Sequence, residues 1–199
     1  MALTPVQRAR LRRFRAVCRR VERAARLKAR HRGARRPVRV RAMAAGDARR
    51  EGFAYYTPAT GTVHVNPCAL TRLREADWYV LAIHEVVGHH LHPRDYGRAA
   101  GERCALECES AWARHWGVEA EAAEWRAYRE ARAALDRTVD RTRGWAAAPN
   151  RAAARRAFAR VPRRMVRVSV ELRRVLESPG AVREYLEGPL DGRCACRRR

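Results

Sequence analysis

Leu11, Phe14, Cys18, Val21 and Ala25 recur at alternating spacings of three and four residues, with arginine on the other faces. That period predicts one long amphipathic helix from Thr4 to about residue 31, with Thr4-Pro5 as start signal and Gly33 and Pro37 as stops. Residues 43–51 read as a linker. The period then shortens to two. Phe53-Ala-Tyr-Tyr-Thr57 and Thr62-Val-His-Val-Asn66, joined by Pro58-Ala-Thr-Gly61, predict a β-hairpin, the one convincing strand signal in the chain. A helix is expected over 71–91, its second half (Val80 to Val87) apolar enough to be buried, with His92-Pro93 ending it. Further helices are expected over about 98–116, 119–142 and 151–177, the last kinked or broken at Pro162, and Pro179-Gly180 leads into a short helix through Tyr185. The fold class is therefore mostly α with a small β-hairpin or sheet. Its expected organisation is a basic helical arm and linker over 1–50, a folded domain over 51–191, and a basic tail over 192–199.

Charge sharpens this division. A chain of 199 residues can bury one modest core, with or without arms. Its formal net charge is +23, spread unevenly. Residues 1–50 hold 18 basic side chains against Glu22 and Asp47, residues 51–130 hold 8 basic against 12 acidic, and residues 131–199 hold 18 against 7. A mildly acidic centre thus lies between two basic flanks, rich in arginine, with Lys28 the only lysine. Such a field favours polyanionic partners, nucleic acid among them; solvated helix faces are the plainer reading. No run of about 20 apolar residues suggests a membrane span. With no apolar secretory core near the N-terminus, an intracellular location is expected, a nucleic-acid-associated compartment or a virion being the alternative. The six cysteines are then expected to be reduced. Cys104 and Cys108 at i, i+4 and the pair Cys194-Ala-Cys196 are weak metal patterns, read as buried or incidental thiols.

The chemistry concentrates in His84-Glu85-Val86-Val87-Gly88-His89-His90. A zinc hydrolase needs three protein ligands, an open position for water, and a carboxylate to take that water's proton. The usual helical solution is H-E-x-x-H, with two histidines at i and i+4. Here the second histidine stands at i+5, and on a regular helix His84 and His89 would lie about 140° apart. A π-bulge would bring them back to one face, and Gly88 is placed to permit the distortion. Two successive histidines leave open whether His89 or His90 binds. A third ligand is expected from the next helix, where Glu102, Glu107 and Glu109 are available. Glu102 and Glu109 share a face, while Glu107 points about 140° from Glu102. The simplest assignment makes Glu102 the ligand and Glu109 an acceptor for a histidine ring N–H.

These residues resemble those of the gluzincins, zinc peptidases with two histidines and a downstream glutamate as ligands. The H-E-x-x-x-H spacing is similar to the H-E-L-L-G-H of the dipeptidyl peptidase III family. A second resemblance is to a mostly bacterial domain-of-unknown-function family with H-E-A-x-P-G-H-H-L-Q followed by E-G-W-A-L-Y-A-E. Glu102, Ala105, Leu106 and Glu109 match its second motif. Its R-x-x-x-D pair before G-W is met by Arg132, Asp136 and Gly144-Trp145, and its later Arg, P-G, Tyr and Gly positions by Arg174, Pro179-Gly180, Tyr185 and Gly188. The proline of the first motif and a histidine after the R-x-x-x-D pair are absent, and the likeness covers about residues 80–190, the C-terminal catalytic part of longer proteins.

The resemblance implies a minimal zincin-like catalytic domain and a zinc-dependent metallopeptidase. His84, His89 (favoured over His90) and Glu102 would hold Zn²⁺, and Glu85 would act as general base. Tyr185 would stabilise the oxyanion, Arg174 would hold a substrate carboxylate or orient a ligand, and Glu109, His90 and Asp136 would support the ligands. A peptide or protein substrate would add along the edge of the hairpin. The alternative is a basic, nucleic-acid-associated or virion-type structural protein that keeps a peptidase-derived zinc-binding core.

Overall fold

Pro5 occupies the first turn of a helix whose start is closed reciprocally. The Gln7 amide donates to Thr4 Oγ1 (3.2 Å) and the Thr4 amide donates to Gln7 Oε1 (2.9 Å), so two orphan donors are satisfied at once. This helix, α1, runs Pro5–Ala29. The computed structural model describes residues 2–29, 36–44, 47, 52–92, 99–140, 144–145, 160–162 and 165, with backbone alone for residues 28, 29, 132–140, 144 and 145. The chain forms two compact units, Met1–Ala123 and Glu124–Arg199.

In the first unit α1 is followed by strands β1 (Arg39–Ala42), β2 (Ala54–Thr57) and β3 (Thr62–Val65). Helices α2 (Pro67–Arg72) and α3 (Glu75–Ala82) come next, then a π helix (Ile83–His90) and helix α4 (Ala99–Trp116). Helix α5 (Glu119–Thr138) begins in the first unit and ends in the second. The architecture is mostly helical with one small three-stranded sheet.

The expected hairpin is present as β2 and β3, paired antiparallel, and Gly61 closes its turn at φ 62°. The sequence reading missed β1, which pairs parallel to β3 and makes β3 the central strand. Val40, Val63 and Tyr56 stand side by side across the three strands, and all are buried. Their neighbours Arg41, His64 and Tyr55 face the other way, with the Tyr55 and His64 rings stacked 4.7 Å apart.

The helix expected over 71–91 is three consecutive segments. Asn66 starts α2: its Oδ1 accepts from the Cys68 and Ala69 amides, while its Nδ2 donates to Gly52 O at 3.0 Å and ties the helix start to the chain before β2. At Leu73 and Arg74 the backbone is extended (ψ 149° and 160°), and α3 restarts with the Arg74 amide donating to the buried Asp77 carboxylate (2.9 Å). Helices α4 and α5 fall within a residue or two of their expected starts. Beyond α5, Val139–Asp140 pairs antiparallel with Gly144–Trp145 where helix was expected up to residue 142. The segments expected as helix over 151–177 and through Tyr185, and the 192–199 tail, lie outside the described residues apart from 160–162 and 165.

The predicted face of α1 is a core face. Leu11, Phe14, Val17, Cys18, Val21 and Ala25 are buried, and α1 packs on α2, α3 and the π helix. Phe14 meets Trp78 of α3 edge to face at 6.5 Å, and both are fully buried. Several arginines on its other faces are engaged locally: Arg13 pairs with Glu75 (2.7 Å), Arg20 donates to Tyr79 Oη (2.8 Å), and Arg10 lies over the Trp78 ring. Cys18, Cys104 and Cys108 are free thiols; Cys68, by contrast with the expectation of reduced cysteines, is disulfide-bonded. Phe14→Ala should therefore cost about 3–5 kcal/mol in urea denaturation, as for a large core aromatic, whereas a residue on a solvated arm would cost less than about 0.5 kcal/mol.

Candidate metal centre

His84 and His89 share a face because the helix that carries them is wound as a π helix over all eight residues from Ile83 to His90. Its bonding runs i to i+5, as in Leu91 N to Val86 O at 2.9 Å, so residues five apart come into register. The bulge anticipated at one glycine is thus a whole segment. All eight residues are buried. The two imidazole Nε2 atoms approach to 3.2 Å, with their rings edge to face.

Helix α4 supplies the third corner. Glu102 Oε2 lies 3.6 Å from His84 Nε2, and Glu102 Oε1 lies 3.4 Å from His89 Nε2. Ligand atoms about 2.0–2.2 Å from a tetrahedral ion stand about 3.3–3.5 Å apart. The two imidazole nitrogens are close to that spacing, each nitrogen has its own Glu102 oxygen nearby, and one ligand atom from each residue lies within 4.8 Å of the others. His84, His89 and Glu102 therefore form a group that can hold a metal ion. The histidine side chains are 10% and 3% exposed and Glu102 is 57% exposed, which leaves the group open to solvent on the Glu102 side.

Gly88 brings α4 this close. A Cβ placed on it would stand 2.5 Å from Ala105 Cβ and 2.6 Å from Ala105 Cα, far inside contact distance. Ala105 lies between Glu102 and Glu109 on the same face of α4, so the Gly88–Ala105 contact sets the depth at which both carboxylates reach the π helix. The glycine thus also serves helix approach, a role beyond the backbone distortion anticipated for it.

The order of hydrogen bonds fixes the tautomer of His84. Glu109, buried on α4, accepts from His84 Nδ1 at 2.7 Å, so the Nε2 lone pair is turned toward His89 and Glu102. His90 is arranged otherwise. Its Nε2–H donates to Arg36 O (3.1 Å), its Nδ1 meets Tyr56 Oη (3.2 Å), and Glu22 lies 3.4 Å from Nε2. Both His90 ring nitrogens are therefore used between α1, the sheet and the chain before β1, and the triad is made with His89.

No protein-family model, curated protein or solved structure matches the chain.

Glu85, next to His84, is buried at 5% exposure. Its charge reaches the fully buried Cys18 of α1: burial first, then Glu85 and Glu22, push the Cys18 thiol well above its ordinary range. Glu22 itself would be raised by burial, but hydrogen bonds from His90, Arg26 and the Val38 amide hold its carboxyl below the usual value. Glu22 and Tyr56 were not singled out in the sequence; the one signal was the lone acid inside a basic helix. Arg174 and Tyr185 lie outside the described residues, and so does the side chain of Asp136. A separate cleft of about 330 Å³ is lined by Arg15 and Arg19 of α1 and by Val38, Arg39, Val40 and Arg41 at β1.

Two outcomes follow from these contacts. Gly88→Ala should lose about 1–3 kcal/mol of stability and weaken divalent-metal binding, and adding Ala105→Gly should restore both, read by thermal unfolding and metal titration. Because the Glu22 carboxyl is depressed in the folded state, its stabilisation is present above the unfolded value of about 4.3 and is lost as pH falls through the lower folded value. Urea denaturation of wild type and Glu22→Gln should therefore show a gap at pH 7 that closes below about pH 4.

Proposed function

We propose that the chain is a zinc metallopeptidase of gluzincin type, with His84, His89 and Glu102 as ligands and Glu85 as general base. The observation that carries this reading is the cluster of two imidazole Nε2 atoms 3.2 Å apart with the two oxygens of one carboxylate 3.4 and 3.6 Å from them, in a segment where His84 and Glu85 are both buried. Zinc fits this donor set better than calcium or magnesium, which take oxygen ligands in larger number. When bound, zinc supplies Lewis acidity and lowers the pKa of a water in its open position.

The remaining work falls to the protein. Glu109 holds the His84 ring in the tautomer that presents Nε2. Glu85 takes a proton from the attacking water and returns it to the leaving amine, so that the peptide bond breaks with proton balance kept. The half-exposed Glu102 side is where a peptide carbonyl would enter. The resemblance adds Tyr185 for the oxyanion and Arg174 for a substrate carboxylate, with Asp136 in support.

Four arginines around one cleft favour a second reading, in which the basic face of α1 and β1 binds a polyanion such as nucleic acid beside a zinc core without turnover. No helix among the described residues is long and apolar enough to cross a membrane. A peptide-library cleavage assay separates the two readings. Wild type should cleave, chelator should abolish cleavage, and Glu85→Gln should lose about 10²–10⁴-fold in turnover with zinc content and folding intact. Equal peptide products from wild type, Glu85→Gln and a chelated sample would overturn the peptidase reading. A salt-sensitive DNA affinity that falls in Arg39→Ala and Arg41→Ala would then support the alternative.

A further inference from the structure

The π helix and α4 bring a second set of metal-type donors together, away from the first. His92, two residues after the π helix, offers a ring nitrogen that lies with Cys104 Sγ and Cys108 Sγ inside a span of 4.8 Å. All three residues are partly exposed, so an ion can reach them from solvent. Cys104 and Cys108 are free thiols one helical turn apart. On α4 they lie well round the helix from the Glu102, Ala105 and Glu109 face. The residues of the two sets do not overlap.

We propose that His92, Cys104 and Cys108 form a second, thiolate-rich zinc site. Its imidazole is already held as a ligand would be. The Val87 carbonyl can only accept, so the 2.8 Å contact with His92 Nδ1 is an N–H donation, and Nε2 is left with the lone pair. Two sulfurs and one nitrogen around zinc stand about 3.5–3.8 Å apart, from bonds of about 2.3 and 2.0 Å. Rotations of three partly exposed side chains, closing the group by about 1 Å, therefore suffice. Zinc binding releases the two thiol protons to solvent, and the resulting thiolates neutralise the ion. Soft sulfur ligands select zinc over magnesium, calcium or manganese. Such an ion would staple the end of the π helix to the first half of α4, the two elements that the first triad also joins. It would act as a structural cross-link, independent of peptide hydrolysis.

The full chain, purified under reductant and titrated with zinc or cobalt, tests this directly. Wild type should bind about two zinc ions, His84→Ala about one, and Cys104→Ser or Cys108→Ser about one. Cobalt-loaded wild type and His84→Ala should both show the near-ultraviolet thiolate-to-cobalt charge-transfer band, and Cys104→Ser should lose it. Zinc should also slow alkylation of Cys104 and Cys108, read residue by residue by mass spectrometry. The cobalt band and the alkylation readout need no substitution at the site, so a variant that fails to fold leaves the test intact. Absence of a thiolate band in wild type, with zinc leaving alkylation of both cysteines unchanged, would overturn the second site and leave the first untouched. Loss of zinc in folded His84→Ala to the same residual level as an apo control would overturn it equally.

Discussion

The close approach of Gly88 to Ala105 is the contact on which the metal centre depends. Two packed helices stand about 8–10 Å apart, the distance being set by the side chains at the contact. With no Cβ at residue 88 and only a methyl at residue 105, α4 sinks toward the π helix. Glu102 then reaches the Nε2 atoms and Glu109 the Nδ1 atom of one imidazole. The other site geometry follows from this depth and from the π winding. Neither alone is enough: an α-helical His84–His89 pair would diverge, and a shallower α4 would leave the pair without its carboxylates.

Electrostatics points the same way. Two imidazoles and the carboxylates of Glu85 and Glu109 are buried in one region, with Glu102 at its edge. Burying so many ionisable groups is costly unless they are paired, and Glu109 accounts for one nitrogen of His84. The two Nε2 atoms stand 3.2 Å apart, a hydrogen bond when His89 carries its proton on Nε2. A cation held by them and Glu102 would replace that contact with shared coordination. The neighbouring His90 shows what a buried histidine without that duty looks like, held by a tyrosine, a backbone carbonyl and a glutamate.

Much of this was legible in the chain, for reasons that can be named. Periodicity found α1, α4, α5 and the hairpin because each buries one continuous stripe or alternates cleanly. The i+5 histidine spacing demanded a π distortion, and one is there. Strand β1 escaped because Arg39-Val-Arg-Ala is four residues long and charged, and only its parallel pairing with β3 gives it a structure. The break between α2 and α3 escaped because no glycine or proline marks Leu73-Arg74; tertiary packing and the Asp77 cap set it. Gly88 was noticed for the π distortion it permits; its close approach to Ala105 escaped because that partner lies on another helix. His92 with Cys104 and Cys108 shows the same limit: donors 12 residues apart in sequence meet only when two helices are placed.

The account stands on one ion at one place. Anomalous diffraction at the zinc edge from crystals of the zinc-loaded protein reads that place without reference to activity. The account predicts a peak bonded to His84 Nε2, His89 Nε2 and a Glu102 oxygen at about 2.0–2.2 Å, with the π helix intact. A peak on His90, or no peak between residues 84, 89 and 102 at saturating zinc, would contradict it.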